Sequence, residues 1–309
     1  MPLPSAQTAP VYFETSWAIL STIGIFLTFA SASVICMTNS CALNFVPLVV
    51  SIACAFANGL VYYAYYAPGH EEEQRLAASI FADLFWLIQE PGLSFYSYLI
   101  LTHILNRRCR TVFLSIFWSL LTCIIALRIT IAIGRAIQLS ADNTSSQEII
   151  SRLHIGYFVS IALLESWSSF FLIKSMARAY RSAPKLSTSG GRGIFLYLMR
   201  SAELRLATLC CIGISRAVTY SSQEKRQKAT TVASQVDRFT YTLECLFPII
   251  MLLDILSAKR YRPSNPTPMN TPDLENSNSN SNSGSGSSYH AQWVSWAPSK
   301  EKARDEILE

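Results

Sequence analysis

The sequence predicts an all-α, polytopic membrane protein, a bundle of seven transmembrane helices followed by a disordered C-terminal tail. Half of the 309 residues are hydrophobic and only 15% are charged, whereas about a quarter are charged in soluble domains. The apolar residues form seven runs, each near the roughly 20 residues that cross a bilayer. The net charge of +5 lies mostly in short loops, which indicates membrane topology rather than a nucleic-acid partner.

The first two predicted spans, 17–37 and 43–66, contain no charged residue. Residues 1–16 carry no Lys or Arg, so they lack the basic start of a signal peptide, and 17–37 is therefore expected to be a transmembrane span. The third span, 76–105, differs because it carries Asp83 and Glu90, seven residues apart and therefore on one helical face. Pro91 is expected to kink this helix beside Glu90.

The next two spans also carry ionisable residues. The fourth, 111–134, contains Arg128, and a polar loop, 135–152, follows with the glycosylation acceptor Asn143-Thr144-Ser145. The fifth, 153–173, contains His154 and Glu165. Their separation of eleven residues is close to three helical turns, so both lie on one face.

The last two spans end the membrane domain, 17–258. The sixth begins with charged residues near 193, ends near 220 and contains Arg216; the seventh, 239–258, contains Glu244 and follows Asp237. Asp237, Tyr241 and Glu244 have helical spacing and share a face. Residues 259–309 are rich in Pro, Ser and Asn and are expected to be disordered.

The basic residues predict the orientation of the chain. The loops on the side of the C-terminus carry eleven Lys and Arg against six on the other side. Basic loops remain cytoplasmic, so the N-terminus is expected outside or in the lumen and the tail in the cytoplasm. The protein is then integral to the plasma membrane or the endoplasmic reticulum, and Asn143 faces outward.

The ionisable residues predict a site inside the membrane, because a buried charge must face a partner or a wet cavity. Glu90, Glu165 and Glu244 lie near mid-depth, where no base is expected. We therefore favour one polar, outward-opening pocket over ion pairs such as Arg128 with Asp83 or Arg216 with Asp237. The predicted ligand-binding residues are Asp83, Glu90, Arg128, His154, Glu165, Arg216, Asp237, Tyr241 and Glu244.

Several chemistries find no support in the sequence. The seventh span has no Lys for a retinal Schiff base, and no HExxH, GxGxxG or Walker motif is present. The four His residues are scattered, which disfavours a His-rich metal site. We expect neither a metal nor a cofactor.

The segments QEPGLSFYSY and DRFTYTLECLFP, with the Asn/Ser-rich tail, resemble uncharacterised heptahelical membrane proteins of filamentous fungi. Seven spans, an outer N-terminus, a basic third inner loop and a Ser/Thr-rich tail also resemble G-protein-coupled receptors in layout. The chain departs from that family because THILNRR stands at the inner end of the third span. The family's coupling residues are therefore not carried over.

Three functions fit the predicted pocket. We favour a receptor-like protein that binds a small, lipophilic ligand and contacts a cytoplasmic signalling partner through its inner loops and tail. The first alternative is similar to the fungal membrane-bound terpene cyclases, with Glu90 or Glu165 as the general acid and Trp86, Phe95, Tyr96, Trp167 and Tyr241 around the cation. The second is a lipid or small-molecule translocator, although the pattern of the fungal lipid-translocating exporters is not found.

Overall fold

The computed structural model describes residues 12–38, 41–67, 69–141, 147–182, 207–219 and 232–260, and every regular element in these ranges is an α-helix. This confirms the all-α prediction for the described part of the chain. Seven helices lie within the described residues: α1 (Tyr12–Met37), α2 (Ala42–Tyr65), α3 (Glu72–Ile104), α4 (Arg107–Ala141), α5 (Gln147–Ser182), α6 (Ala207–Thr219) and α7 (Val232–Arg260).

Five of the described helices, α1, α2, α4, α5 and α7, are long and apolar enough to cross a membrane. The 33 residues of α3 extend about 50 Å at 1.5 Å per residue, but Asp83, Gln89 and Glu90 lower its hydropathy. The described part of α6 has 13 residues and extends about 20 Å, less than the roughly 30 Å of a hydrocarbon core. Membrane-spanning helices are therefore supported, and the count of seven spans stays a prediction.

The predicted polar loop 135–152 is wrong in its bounds, because α4 continues to Ala141 and α5 begins at Gln147. The polar residues that suggested a loop include Arg135, which is buried at 8% exposure inside α4. Polar residues that face the interior of a bundle lower hydropathy without ending a helix. The helix α3 likewise continues through Pro91.

The helix α3 contributes to all three hydrophobic clusters of the bundle. Its Leu101 packs with aromatic residues of α4 and α5, its Trp86 packs with α1, α2 and α7, and its Leu93 packs with the other ends of α1, α2 and α7. The polar residues of α3 therefore lie at the centre of the bundle. This central position agrees with the unusual composition of the third predicted span.

The helices α1 and α2 approach each other closely at a glycine. A Cβ atom added to Gly24 would lie 2.7 Å from the backbone nitrogen of Ala55, so only glycine fits there. One turn away, the Ser21 hydroxyl donates a hydrogen bond to the Ala55 carbonyl at 2.8 Å. Small residues of this kind let membrane helices pack backbone to backbone.

Large apolar side chains cover the outer surface of the bundle. Phe26, Phe29 and Phe239 are between 63% and 70% exposed. Exposed apolar surface on this scale would be costly in water and is suited to lipid. The exposed faces therefore agree with a bilayer environment.

Three sequence predictions lie outside the described residues. They are the glycosylation acceptor at Asn143, the charged beginning of the sixth span and the disordered tail beyond residue 260. The tail had been expected from 259, and α7 extends to Arg260.

Candidate functional site: a buried network of arginines and acids

Asp83 of α3 is paired with two arginines of α4. The Asp83 Oδ1 atom lies 2.8 Å from Arg135 Nη1 and 2.9 Å from Arg128 Nη2. All three side chains are at least nine-tenths buried. Arg128 and Arg135 are seven residues apart on α4, and Asp83 and Glu90 are seven residues apart on α3. The basic face of α4 therefore lies against the acidic face of α3.

Glu90 accepts hydrogen bonds from two other helices. Arg216 of α6 donates from Nη1 to Glu90 Oε1 at 2.7 Å, and the Tyr157 hydroxyl of α5 donates to Glu90 Oε2 at 2.6 Å. Arg128 Nη1 lies 3.8 Å from the same Oε2 atom. Glu90 therefore has two donors and a further cation around its carboxylate.

Arg216 joins three helices through one nitrogen. Its Nη1 atom lies 2.7 Å from Glu90 Oε1 of α3 and 2.6 Å from Glu244 Oε2 of α7. Its Nε atom is 3.8 Å from Asp237 Oδ1. The expectation that no base reaches mid-depth is therefore wrong, because the long arginine side chain extends from its own level to both acids.

His154 of α5 continues the network to α4. Its Nε2 atom lies 3.0 Å from Arg135 Nη2, and its Nδ1 atom lies 2.8 Å from the carbonyl oxygen of Ile150. A guanidinium only donates hydrogen bonds, so Nε2 accepts and Nδ1 carries the proton. His154 is therefore a neutral ring of α5 that accepts a hydrogen bond from Arg135 of α4 and helps to position it.

Aromatic rings lie beneath each guanidinium of the network. Arg128 is 4.9 Å from the centre of the Trp86 ring, Arg216 is 4.1 Å from Phe158, and Arg238 is 3.5 Å from Trp17. Such cation–π contacts contribute on the order of 2 kcal/mol each when water is excluded. Carboxylates therefore contact the N–H groups of the Arg128 and Arg216 guanidinium groups, and aromatic rings cover the flat faces of the same groups.

Two small cavities lie beside the side chains of the network. The first, which we call the arginine cavity, has a volume of about 10 Å³ and is lined by Trp17, Trp86, Glu90, Arg128, Arg135, His154, Phe158, Arg216, Asp237, Arg238 and Tyr241. The second, the acidic cavity, has a volume of about 20 Å³ and is lined by Glu90, Leu93, Ile161, Glu165, Leu209, Ile212, Gly213, Arg216 and Glu244. Each volume suits about one water molecule.

Glu165 reaches the network from α5 through the acidic cavity. It is 2% exposed, and the Ser94 hydroxyl of α3 donates a hydrogen bond to its Oε1 atom. Glu90, Glu165 and Glu244 therefore border one space. Among the described residues, no three His, Cys, Asp or Glu side chains are arranged to hold a metal ion.

The structure brings all nine predicted site residues into this network. Six line the arginine cavity, Glu165 and Glu244 line the acidic cavity, and Asp83 is bonded to Arg128 and Arg135. The ion pair of Arg128 with Asp83, which sequence analysis treated as the alternative to a pocket, is present beside the cavities. Binding of a ligand at these cavities stays a prediction.

Sequence analysis missed five residues of the network: Trp17, Arg135, Tyr157, Phe158 and Arg238. Arg135 was assigned to a loop, although its separation of seven residues from Arg128 was a usable signal. Tyr157 follows His154 by three residues and so lies on the same helical face. Arg238 directly precedes the seventh predicted span, 239–258.

Three aromatic residues expected around a cation lie elsewhere. Phe95 and Trp167 pack against the cluster of Phe113 and Phe117, and Tyr96 packs in the cluster of Leu93 and Phe247. Trp86 and Tyr241 do line the arginine cavity. Their indole and hydroxyl groups are joined by a hydrogen bond of 2.7 Å from Trp86 Nε1 to Tyr241 Oη.

The fold and the network together define an all-helical protein with apolar helices suited to a membrane and a charged interior. Comparison of the chain with protein-family models, with curated proteins and with solved structures finds no match.

Proposed function

We propose that this chain is a receptor-like heptahelical membrane protein that binds a small, lipophilic ligand beside Arg216. The observation that carries the proposal is the single Nη1 atom shared by Glu90 of α3 and Glu244 of α7. A ligand that engages Arg216 competes with acids on two other helices. Binding is thereby coupled to the relative positions of α3, α6 and α7, which is what a receptor requires.

The energies involved are sufficient for such coupling. Breaking a buried ion pair by removing one partner costs about 3–5 kcal/mol. Moving a two-state equilibrium from 1:99 to 99:1 requires about 5.5 kcal/mol of differential binding. Replacing one or two ion pairs of Arg216 by contacts with a ligand therefore involves a free energy comparable to that of a conformational switch.

The surroundings of Glu90 favour binding over acid catalysis. Glu90 accepts hydrogen bonds from Arg216 and Tyr157 and lies 3.8 Å from Arg128. Such neighbours suit a carboxylate that accepts hydrogen bonds, whereas a general acid must donate a proton to its substrate. Terpene-cyclase-like catalysis is the alternative that the experiment below must exclude.

Exposed basic side chains support a cytoplasmic partner at one end of the bundle. Arg107, Arg108 and Arg110 are exposed in the first turn of α4, and Lys174 and Arg178 are exposed near the end of α5. These residues belong to the side assigned to the cytoplasm by the distribution of basic residues. We propose that the N-terminus faces the exterior or the lumen of the endoplasmic reticulum.

The test uses the full chain in nanodiscs, titrated with three probes of equal chain length: dodecanoate, dodecanol and dodecylamine. Trp17 and Trp86 line the arginine cavity, so occupancy should change their emission. We expect at least one probe to give a saturable change and to slow hydrogen exchange in α6 and α7. Protein-free nanodiscs measure the contribution of probe that only enters the bilayer.

Two results would contradict the proposal. The first is the lack of any saturable response to all three probes by a chain that unfolds cooperatively. The second is conversion of a prenylated substrate in microsomes that contain the wild-type chain, with loss of product in Glu90→Gln. That second outcome would establish the enzyme alternative.

A further inference from the structure

The helices α4 and α5 carry exposed basic residues at the same end of the seam where they pack together. Phe113 of α4 and Phe171 of α5 are in contact there, with ring centres 5.7 Å apart. Arg110 precedes Phe113 by three residues and Lys174 follows Phe171 by three, so in antiparallel helices both lie about 5 Å beyond this contact. Arg178 follows Lys174 by about one further turn. All three basic residues are exposed.

No acidic residue of the same two helices lies near this end. The helix α4 contains no Asp or Glu, and α5 contains none after Glu165. Asp254 of α7 is at the same end of the bundle, but its neighbours Leu252 and Ile255 pack with residues of α1, α2, α3 and α6. The seam between α4 and α5 therefore presents positive charge from both helices.

An exposed apolar surface leads away from the basic residues on each helix. On α4, Arg108 is exposed and is followed four residues later by Val112, which is 52% exposed. On α5, Leu163, Phe170 and Lys174 are separated by seven and four residues and so share a face. Leu163 and Phe170 are each 54% exposed, and Lys174 Nζ lies 5.5 Å from the centre of the Phe170 ring.

The apolar face of α5 borders the seam with α4. A Cβ atom added to Gly156 of α5 would lie 3.9 Å from Leu127 Cδ1 of α4, so this side of α5 faces α4. Leu163 and Phe170 follow Gly156 by seven and fourteen residues and lie on the same side. A lipid in the seam would therefore place its acyl chain beside Leu163 and Phe170 and its headgroup beside Lys174 and the arginines of α4.

We infer that the seam between α4 and α5 binds an anionic phospholipid, whose phosphate contacts Arg108, Lys174 and Arg178. Guanidinium and ammonium groups both bind phosphate oxygens, and anionic lipids are enriched on the cytoplasmic side of a membrane. An acidic soluble molecule would meet the same charges, but the apolar faces place lipid directly beside them. The site is separate from the network around Arg216 and does not rest on the proposed function.

Selectivity is expected to come from the headgroup alone. The acyl chains of any phospholipid cover the apolar faces equally well, because lipid chains resemble one another in polarity. Each Lys or Arg near the membrane surface contributes about fivefold to the affinity for an anionic lipid. Several basic residues at one end of the seam should therefore give a preference of about tenfold or more over a zwitterionic lipid.

The experiment measures which lipids the purified full chain retains in micelles that contain equal amounts of phosphatidylglycerol and phosphatidylcholine with identical acyl chains. Native mass spectrometry counts the bound molecules. We expect one retained phosphatidylglycerol, preferred about tenfold or more over phosphatidylcholine. The preference should fall at high salt, because exposed charges are screened.

Variants separate this site from the general charge at the same end of the bundle. Arg108→Gln and Lys174→Gln should each lower the preference about fivefold, whereas Lys174→Arg should retain it. Lys259→Gln is the matched control, because Lys259 is exposed at the same end but belongs to α7. All of these side chains are exposed, and thermal unfolding in micelles checks that each variant folds as the wild type does.

Four results would overturn the inference. Equal retention of the two lipids would mean that the seam does not select an anionic headgroup. A loss in Lys259→Gln as large as that in Lys174→Gln would indicate diffuse charge instead of a site. Displacement of the lipid by millimolar inorganic phosphate would identify a site for a soluble anion, and displacement by a hexaglutamate peptide would identify a surface for an acidic protein partner.

The proposed function is tested separately. Its readout is the emission of Trp17 and Trp86 in the arginine cavity, whereas the lipid site is read by the mass of retained lipid. Loss of lipid selectivity in Lys174→Gln with an unchanged response at the arginine cavity is the expected result. A failure at one site therefore leaves the other test intact.

Discussion

Three buried arginines, Arg128, Arg135 and Arg216, each have both a carboxylate and an aromatic face as neighbours. A charged side chain at the centre of a bilayer costs at least about 2.5–3.5 kcal/mol. Pairing offsets that cost only if the remaining N–H groups are also satisfied. The aromatic rings stabilise the parts of each guanidinium that no carboxylate reaches. This explains how several guanidinium groups lie close together inside the bundle.

The Tyr157 hydroxyl provides a test at the scale of a single residue. Tyr157→Phe removes the hydrogen bond of 2.6 Å to Glu90 Oε2 and leaves the ring in place. We expect a loss of about 1.5–3 kcal/mol in the free energy of unfolding, the usual value for a hydrogen bond to a charged group. Unfolding of the purified protein in mixed micelles, followed by circular dichroism, measures it.

Tyr98→Phe is the matched control. Its ring packs on Phe117 at 4.7 Å, and its hydroxyl is not hydrogen-bonded to another described residue. We expect a change below about 0.5 kcal/mol, as for substitutions away from specific contacts. Equal losses in the two variants would mean that the hydrogen bond to Glu90 contributes little.

Sequence reasoning found the acids of the site more readily than their partners. Asp83, Glu90 and Glu165 stand out because a carboxyl in an apolar run is rare. Arg135 and Tyr157 do not stand out: arginine is common at the end of a span, and tyrosine is common in membrane helices. Which acid an arginine reaches depends on side-chain conformation, which spacing along the chain does not specify.

At the scale of helices, the approach of α1 to α2 depends on Gly24. In Gly24→Ala the new Cβ atom would lie 2.7–2.8 Å from backbone atoms of Ala55, so one helix must move. We expect a loss of about 1–3 kcal/mol, the range for overpacked sites. The temperature of unfolding in detergent, measured by static light scattering and circular dichroism, checks this expectation.

Gly156→Ala serves as the control for that change. Gly156 lies inside α5, and its added Cβ atom would meet only Leu127 Cδ1 at 3.9 Å, an ordinary contact. Replacing a helical glycine by alanine stabilises by about 0.5–1 kcal/mol. A melting temperature that falls equally in both variants would contradict the close contact at Gly24.

The helices themselves were largely predictable, whereas their ends were not. Five predicted spans coincide with helices that are apolar enough to cross a membrane, because long apolar runs have few other stable structures in lipid. The predicted fourth span ends at 134 and the predicted fifth span begins at 153, whereas α4 continues to Ala141 and α5 begins at Gln147. Hydropathy reports where lipid contact ends, and a helix continues as long as its backbone hydrogen bonds are made.

At the scale of the whole molecule, the orientation can be tested at Asn143. If seven spans are present and the N-terminus is outside, the segment that contains Asn143 faces the lumen, where the acceptor is glycosylated. Expression in a eukaryotic host should give a band that shifts on treatment with an N-glycosidase. Asn143→Gln should migrate as the treated wild type does.

A second reporter distinguishes a wrong orientation from an unused acceptor. A fluorescent protein is fused after Glu309, and sealed microsomes with the cytoplasmic side outward are treated with protease. The fusion should resist the protease only if the tail lies in the lumen. We expect it to be digested. A protected fusion would reverse the topology or change the number of crossings.

The marginal hydropathy of α3 has a consequence for how the protein is made. A segment with Asp83 and Glu90 on one face partitions poorly into lipid by itself, and the arginines that neutralise Asp83 are in α4, the next helix to leave the ribosome. We expect α3 to remain at the translocon until α4 has been synthesised, and the two helices to insert into the bilayer together as a hairpin. Because Arg216 is synthesised much later, Glu90 would be the last of the two acids to acquire its full set of partners.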